Sequence, residues 1–349
     1  MPLPTISLAA LRDREASALA ALRASLSGVG FLHLVDHGVS EEVIAALAAA
    51  RAFFMLPDEA KARTEHARKG FIPVNGCVNA VRPPHLHEKF SCGRLAESLV
   101  DGDPYYAGTS EEAQLYFGDA NRWPDEKDAP GFRASYETAY RAFEHLCVEL
   151  HSAIAAALGL ADEFFTPALS RHVTNLCALH YPERPDGPRQ TESGHNAATR
   201  AGELPDDALR VRPHTDPTSL TVLAHEAGDA SGLQVLDDQA GWIDVGAQPG
   251  ALIVNVGDIL HFWTNGELKS ARHRVLGDSW RSRLSLVFFC MPGYDAMIEA
   301  PDTLLNGQPP RYQSFACGQR SHFAQGLRDA RGLPDRQLLS EQSRQAAGV

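Results

Sequence analysis

Two histidines and an aspartate carry the chemistry this sequence offers most plainly. His214 and Asp216 lie two residues apart in RPHTDPTSL, and His273, in SARHRV, follows Asp216 by 57 residues. On a strand, residues i and i+2 project from one face, so His214 and Asp216 can grip a single ion from the same side. A second imidazole from a later strand completes a set of two histidines and one carboxylate. Such a set leaves positions open for Fe(II) to take a co-substrate and oxygen. A lone His-x-Asp is weak evidence, and the competing use is a solvated strand-end pair with an unrelated surface histidine. Ten residues beyond His273 come Arg283 and Ser285, on one face of the strand-like run RLSLVFF. Arginine is rarely buried without a partner. A guanidinium with a hydroxyl beside it suits a carboxylate. A structural salt bridge to a buried acid is the commoner use of a lone arginine, but its spacing from His273 favours ligand binding.

These side chains need a frame, and the last half of the chain supplies one. Short β-rich runs recur at 173–181, 219–224, 232–236, 242–245, 251–256, 260–263, 269–275 and 283–289, with turn residues between them. Strands so spaced, behind a helical front, predict a mainly β protein with flanking helices and an antiparallel sandwich or jelly-roll core. Asn255, Gly257 and Asp258 read as shapers of a turn, and Thr264-Asn265-Gly266 as a hairpin signal. In the front part, residues 15–27 space Leu19, Leu22 and Leu26 as a helix does, and Phe31–Val35 reads as a buried strand. Ser40 is placed to cap a helix that starts with Glu41 and Glu42 and buries Val43, Ile44, Leu47 and Phe54. A long helix is expected over about 131–159, ended by Gly159. Residues 63–127 look loop-rich, and the polar stretch 183–212 looks like a lid-type insertion. The expected division is an N-terminal helical and mixed region over 1–125, a catalytic core over 126–300, and a tail with a final helix over 301–349. Trp242 and Trp263 are assigned to the core, and His180, His225 and His261 to core or surface roles.

Composition removes other classes. The 349 residues hold 32 Lys and Arg against 44 Asp and Glu, a formal charge of −12. That balance argues against a nucleic-acid or anionic-membrane partner, since either needs a basic surface. No run approaches the roughly 20 apolar residues of a membrane helix. Asp13 and Glu15 sit where a signal peptide would be apolar. Six scattered cysteines without a CxxC pair read as reduced thiols of a cytoplasmic protein. Oligomeric state is not legible.

Several blocks in order then resemble one family, the Fe(II)- and 2-oxoglutarate-dependent dioxygenases of the isopenicillin N synthase-like group. The resemblance covers about residues 3–300. Its front blocks are LPTISL, GVGFLHLVDHGVS and FFMLPDEAKAR. Its catalytic blocks are HTDPTSLTVLAHE, SGLQVLDDQAGWIDV, ALIVNVGDILHFWTNGELKSARHRV and RSRLSLVFF. By position, the resemblance implies iron ligation by His214, Asp216 and His273. It implies that Arg283 and Ser285, with Tyr181 in LCALHYP, hold the distal carboxylate of 2-oxoglutarate. Where the family commonly has Asn-Tyr-Tyr-Pro, this chain has Leu179-His180-Tyr181-Pro182. The implied fold is a double-stranded β-helix. The implied reaction uses O2 to hydroxylate, desaturate or cyclise a small organic substrate, releasing succinate and CO2. An oxidase like isopenicillin N synthase, which does not use 2-oxoglutarate, is the nearer alternative, and a catalytically silent binding jelly roll the remote one. Retention of Asp216 argues against a halogenase.

Overall fold

Alternation of side chains on strands from both halves of the chain closes two sheets over one another. The structure, a computed structural model, describes residues 3–66, 68–74, 87–95, 110, 113, 120–183, 209–226, 232–277 and 282–320. Its strands are β1 (Thr5–Ser7), β2 (Phe31–Val35), β3 (Gly70–Ile72), β4 (Glu88–Cys92), β5 (Asn175–Tyr181), β6 (Leu209–His214) and β7 (Leu220–His225). They continue as β8 (Leu233–Asp237), β9 (Gly241–Asp244), β10 (Leu252–Val256), β11 (His273–Leu276), β12 (Arg283–Cys290), β13 (Met297–Ile298) and β14 (Phe315–Ala316). The larger sheet runs β1-β2-β10-β7-β12-β5-β4-β3 and the smaller β6-β11-β8-β9, while β13 and β14 pair separately. Strands β10, β11 and β12 each lie between two strands that precede them in sequence. This is the jelly-roll core, with strands from the front of the chain extending its larger sheet.

Each face of the larger sheet has its own packing. Leu284, Leu286 and Phe288 of β12 belong to the main core, against the helix Phe132–Ala157. There Phe143 stacks on Phe288 and Tyr140 meets it edge-on. Phe53, on the helix Ser40–Phe54, lies within ring contact of Phe54, Phe71, Phe90 and Phe132. Aromatic rings bury large areas and favour such edge-to-face pairs. A second, smaller cluster holds Phe31, Tyr181, Val211, Leu233, Val235, Ile253 and Val275, drawn from both sheets. It lines the space between them, and Arg283 and Ser285 share its face of β12 because they alternate with the core residues.

Several expectations are corrected. Residues 260–263 form the end of a helix, Asp258–Trp263, that buries Ile259, Leu260 and Trp263. A four-residue apolar run does not by itself separate strand from helix. Thr264-Asn265-Gly266 therefore ends that helix instead of turning a hairpin, with Asn265 and Gly266 at φ 54° and 81°. Ser40 lies inside its helix without capping it; the cap position is Val39, whose N–H donates to His37 Nδ1 at 3.2 Å. Ile44 is 66% exposed rather than buried. Trp242 is half-buried, packed 4.1 Å from the guanidinium of Arg274, whereas Trp263 is core. The end of the polar stretch 183–212 is strand β6, and residues 184–208, where the lid was expected, lie outside the described residues. Among the described residues no helix is long and apolar enough to cross a membrane. Cys92, Cys147, Cys177, Cys290 and Cys317 are buried free thiols.

One buried histidine makes the fold sensitive to acid. His151 lies in the long helix, its Nδ1 donating to Cys147 O and its Nε2 engaging Ser219 Oγ, each at 2.7 Å. Burial pushes its pKa down to about 4, against a weaker upward pull from the Cys147 carbonyl. An unfolded chain takes the proton as pH falls through about 6.5, and the folded protein does so only near 4. Stability contributed by neutral His151 is therefore full above pH 6.5 and is lost between 6.5 and 4, by about 3 kcal/mol. Urea midpoints measured across that window should fall more steeply for the wild type than for His151→Gln. Parallel slopes would refute the assignment.

Candidate functional site

The candidate metal-ligating side chains meet because two strands pair. His214 ends β6, His273 begins β11, and the antiparallel register sets them opposite one another, their ring centroids 4.2 Å apart. Asp216 follows His214 by one intervening residue and turns back between the two rings. Asp216 Oδ1 stands 3.7 Å from His214 Nε2 and 3.6 Å from His273 Nε2. Those distances are too long for hydrogen bonds, and one potential ligand atom from each residue lies within 4.8 Å of the others. His273 and Asp216 are buried, but the His214 side chain is 39% exposed, so the cluster has one accessible side.

The surroundings fix which atoms face inward. His214 Nδ1 donates to Arg212 O at 2.7 Å, and His273 Nδ1 to Ala271 O at 3.2 Å. Each ring is thereby held in the tautomer whose Nε2 lone pair is available. Asp216 Oδ2 accepts from Thr221 Oγ1 at 2.8 Å and Asn255 Nδ2 at 2.9 Å, leaving Oδ1 toward the imidazoles. Burial pushes the Asp216 carboxyl up, yet His273, His214 and the two hydrogen bonds together outweigh it and hold the pKa low. Asp258 ties the loops together, accepting from Thr215 Oγ1 at 3.1 Å and Ser270 Oγ at 2.6 Å, while its own N–H donates to Asp216 O at 2.7 Å. Gly257 is required there, since a Cβ would sit 2.2 Å from Thr218 O. Phe31 closes one side, edge-on to His273 at 5.4 Å.

A second cluster lies at the other end of β7. Register sets Arg283 opposite Tyr181 on β5, and Ser285 opposite both Leu179 on β5 and His225 on β7. The guanidinium of Arg283 lies 5.4 Å from the Tyr181 ring, and that of Arg210 on β6 lies 5.5 Å from it. His225 Nδ1 is 3.2 Å from Arg283 Nη2 and 3.3 Å from Ser285 Oγ. Thr221, which touches Asp216, and His225, which touches Arg283, are four residues apart on β7, roughly 13 Å of strand. On the opposite face a buried network anchors the same strand ends. Lys61 Nζ pairs with Glu88 Oε2 at 3.2 Å, and Glu88 Oε1 with His180 Nδ1 at 2.7 Å. His180 Nε2 meets Ser282 Oγ at 3.1 Å; Arg51 donates to that hydroxyl at 2.6 Å and pairs with Glu226.

The structure thus gathers the six nominated residues into two groups, His214, Asp216 and His273 in one and Arg283, Ser285 and Tyr181 in the other. Sequence reading missed Thr221, Asn255, Asp258 and His225. The available signal was a polar residue inside an apolar strand, as in LTVLAH and LIVNV. Asn255 and Asp258 do more than shape a turn, and His225 is neither simple core nor surface. His261 is structural, bonded to Leu268 O and Tyr312 Oη.

Comparison with known proteins gives the family. Residues 175–292 match the 2OG-Fe(II) oxygenase superfamily, and residues 3–126 match the non-haem dioxygenase in morphine synthesis N-terminal family. A proline hydroxylase of Petromyces alliaceus is 32% identical over 299 residues, 81% of this chain and 84% of the relative. A 2OG-Fe(II) oxygenase family protein from Caulobacter crescentus superposes with a TM-score of 0.74 at 26% identity, covering 94% of this chain and 99% of that one. A full-length Neurospora crassa protein, solved in complex with alpha-KG and thymine, shares the fold at a TM-score of 0.73 and 23% identity, covering 94% and 97%. The chain belongs to the 2OG-Fe(II) oxygenase superfamily and is an Fe(II)- and 2-oxoglutarate-dependent oxidoreductase.

Proposed function

We propose that His214 Nε2, Asp216 Oδ1 and His273 Nε2 hold the iron, and that Arg283, Ser285 and Tyr181 hold the distal carboxylate of 2-oxoglutarate. One observation carries the reading: a two-histidine, one-carboxylate set with its ligand atoms turned inward and one side accessible. That donor set suits Fe(II) and leaves positions for further ligands. The buried cation and hydroxyl at the far end of β7 suit a dicarboxylic co-substrate. With oxygen, the bound iron and 2-oxoglutarate supply the oxidising chemistry, in which succinate and CO2 are released and a small organic substrate is hydroxylated, desaturated or cyclised.

The protein's own part is binding and orientation. The carbonyls of Arg212 and Ala271 each take an Nδ1 proton, so both Nε2 atoms face inward for ligation. Thr221 and Asn255 hold the Asp216 carboxylate in one rotamer. Phe31 excludes water from the His273 side. Strands β1–β4 complete the sheet that carries Tyr181, so the regions 1–125 and 126–300 act as one unit, and the final helix expected in 301–349 falls mostly on residues 321–349, outside the described residues. Buried free thiols suit a reducing, cytoplasmic setting.

The test is an anaerobic titration of the metal-free protein with Fe(II), then with 2-oxoglutarate, followed by visible absorption. A new charge-transfer band on adding 2-oxoglutarate is expected. Iron binding without that band would favour the oxidase reading, in which a carboxylate-bearing substrate supplies all four electrons.

A further inference from the structure

We propose that Asn175 selects the primary substrate: its side-chain amide receives a polar group on the edge of a neutral ring compound whose apolar face lies on Phe289. This rests on the reading that His214, Asp216 and His273 hold the iron and that Arg283 and Ser285 hold 2-oxoglutarate. One row of residues crosses the larger sheet beside the metal cluster. Register sets Phe31 opposite Asn255, Asn255 opposite Thr221, Thr221 opposite Phe289 and Phe289 opposite Asn175. Residues paired across strands share a face of the sheet. Phe31 meets His273, while Asn255 and Thr221 bond Asp216, so that face looks onto the cluster. Phe289 and Asn175 continue the row over β12 and β5, and Asn175 lies two strands from Thr221, roughly 10 Å.

The first three members of the row are engaged with the cluster, and the last two are not. Phe289 is half-buried, belongs to neither apolar cluster and meets no other ring among the described residues. Its neighbours Phe288 and Cys290, which point the other way, are core. Asn175 is also half-buried, and its amide makes no hydrogen bond among the described residues. An apolar wall with one placed polar group is how small-molecule sites are lined. The row holds no charged side chain, and Arg283 stands six residues away along β12, roughly 20 Å. An anionic group would therefore find no counter-charge here. A primary amide donates and accepts from one edge, which suits a ring bearing a carbonyl, a hydroxyl or an N–H. Because the carboxylate anchor lies at the far end of β12, co-substrate and substrate can be held together.

The experiment titrates the Zn(II) protein, saturated with 2-oxoglutarate, with isoindolin-1-one, indane and indane-1-carboxylate, followed by nitrogen-15 spectra. Isoindolin-1-one is expected to bind about 3- to 10-fold more tightly than indane, the worth of one neutral hydrogen bond, and to move the Asn175 Nδ2 resonance. Asn175→Leu, close in size, should erase that difference without altering 2-oxoglutarate affinity. Phe289→Ala should weaken both neutral probes alike. With Fe(II) in place of Zn(II), the protons of bound isoindolin-1-one should relax faster, as they must beside a paramagnetic ion. Tighter binding of the carboxylate, a difference that survives in Asn175→Leu, an unmoved Asn175 resonance, relaxation unaffected by Fe(II), or no binding of isoindolin-1-one would each overturn the proposal. If the wild-type Fe(II) protein gives no charge-transfer band with 2-oxoglutarate, the underlying reading has failed instead, whatever the probes do.

Discussion

Asp216→Ala is expected to lower succinate production by more than about a hundredfold while leaving the protein folded. Loss of a group that merely orients a ligand typically costs 10- to 100-fold in metal affinity or activity, so loss of the ligand itself must cost more. The variant also strands Asn255 Nδ2, bonded to Asp216 Oδ2, whereas Thr221 Oγ1 keeps its contact with Thr218 Oγ1 at 3.0 Å. Leaving one such buried donor unsatisfied costs about 1–3 kcal/mol, less than the ordinary 5–15 kcal/mol stability of a folded domain. Circular dichroism should therefore show an intact fold with a lowered melting temperature, and metal analysis should show iron lost. Wild-type turnover in this variant would remove Asp216 from the ligand set.

Arg283→Ala has the second largest expected effect. Arg283 is buried on the interior face of β12, against Tyr181 and His225. Truncating one partner of a buried charged contact costs about 2–4 kcal/mol, roughly 30- to 1000-fold in the dissociation constant. The charge-transfer titration should need that much more 2-oxoglutarate to saturate, with iron binding unchanged because the triad sits on other strands. If instead only the primary substrate binds more weakly, Arg283 holds that substrate, and the co-substrate anchor lies elsewhere.

What could be read from the sequence depended on whether a residue's role was local. Phe31–Val35 and the long helix announce themselves through short-range periodicity, and β12 through an arginine inside an apolar run. The two groups of nominated residues followed from spacing along strands and from family resemblance. The Asp258 tie, by contrast, joins Thr215 to Ser270 across 55 residues, and no periodicity encodes such a junction. A lone histidine such as His225 reads as structural in sequence; only the register with Ser285 gives it a setting. The helix over 258–263 shows in the sequence only as the apolar run 260–263, which is equally at home in a strand.

The interleaved strand order also has a consequence in time. On the ribosome the amino-terminal half appears first, so β2 waits more than 200 residues for β10, and β5 and β7 keep an open slot until β12 emerges between them. A nascent chain stopped before residue 283 presents unpaired strand edges, a form prone to aggregation. Long-range pairing of this kind slows folding. The proposed ligands His214 and Asp216 are synthesised long before His273, and β6 pairs with β11 only once His273 has emerged. Premature termination before β11 therefore yields a chain without the full cluster, not a weaker enzyme.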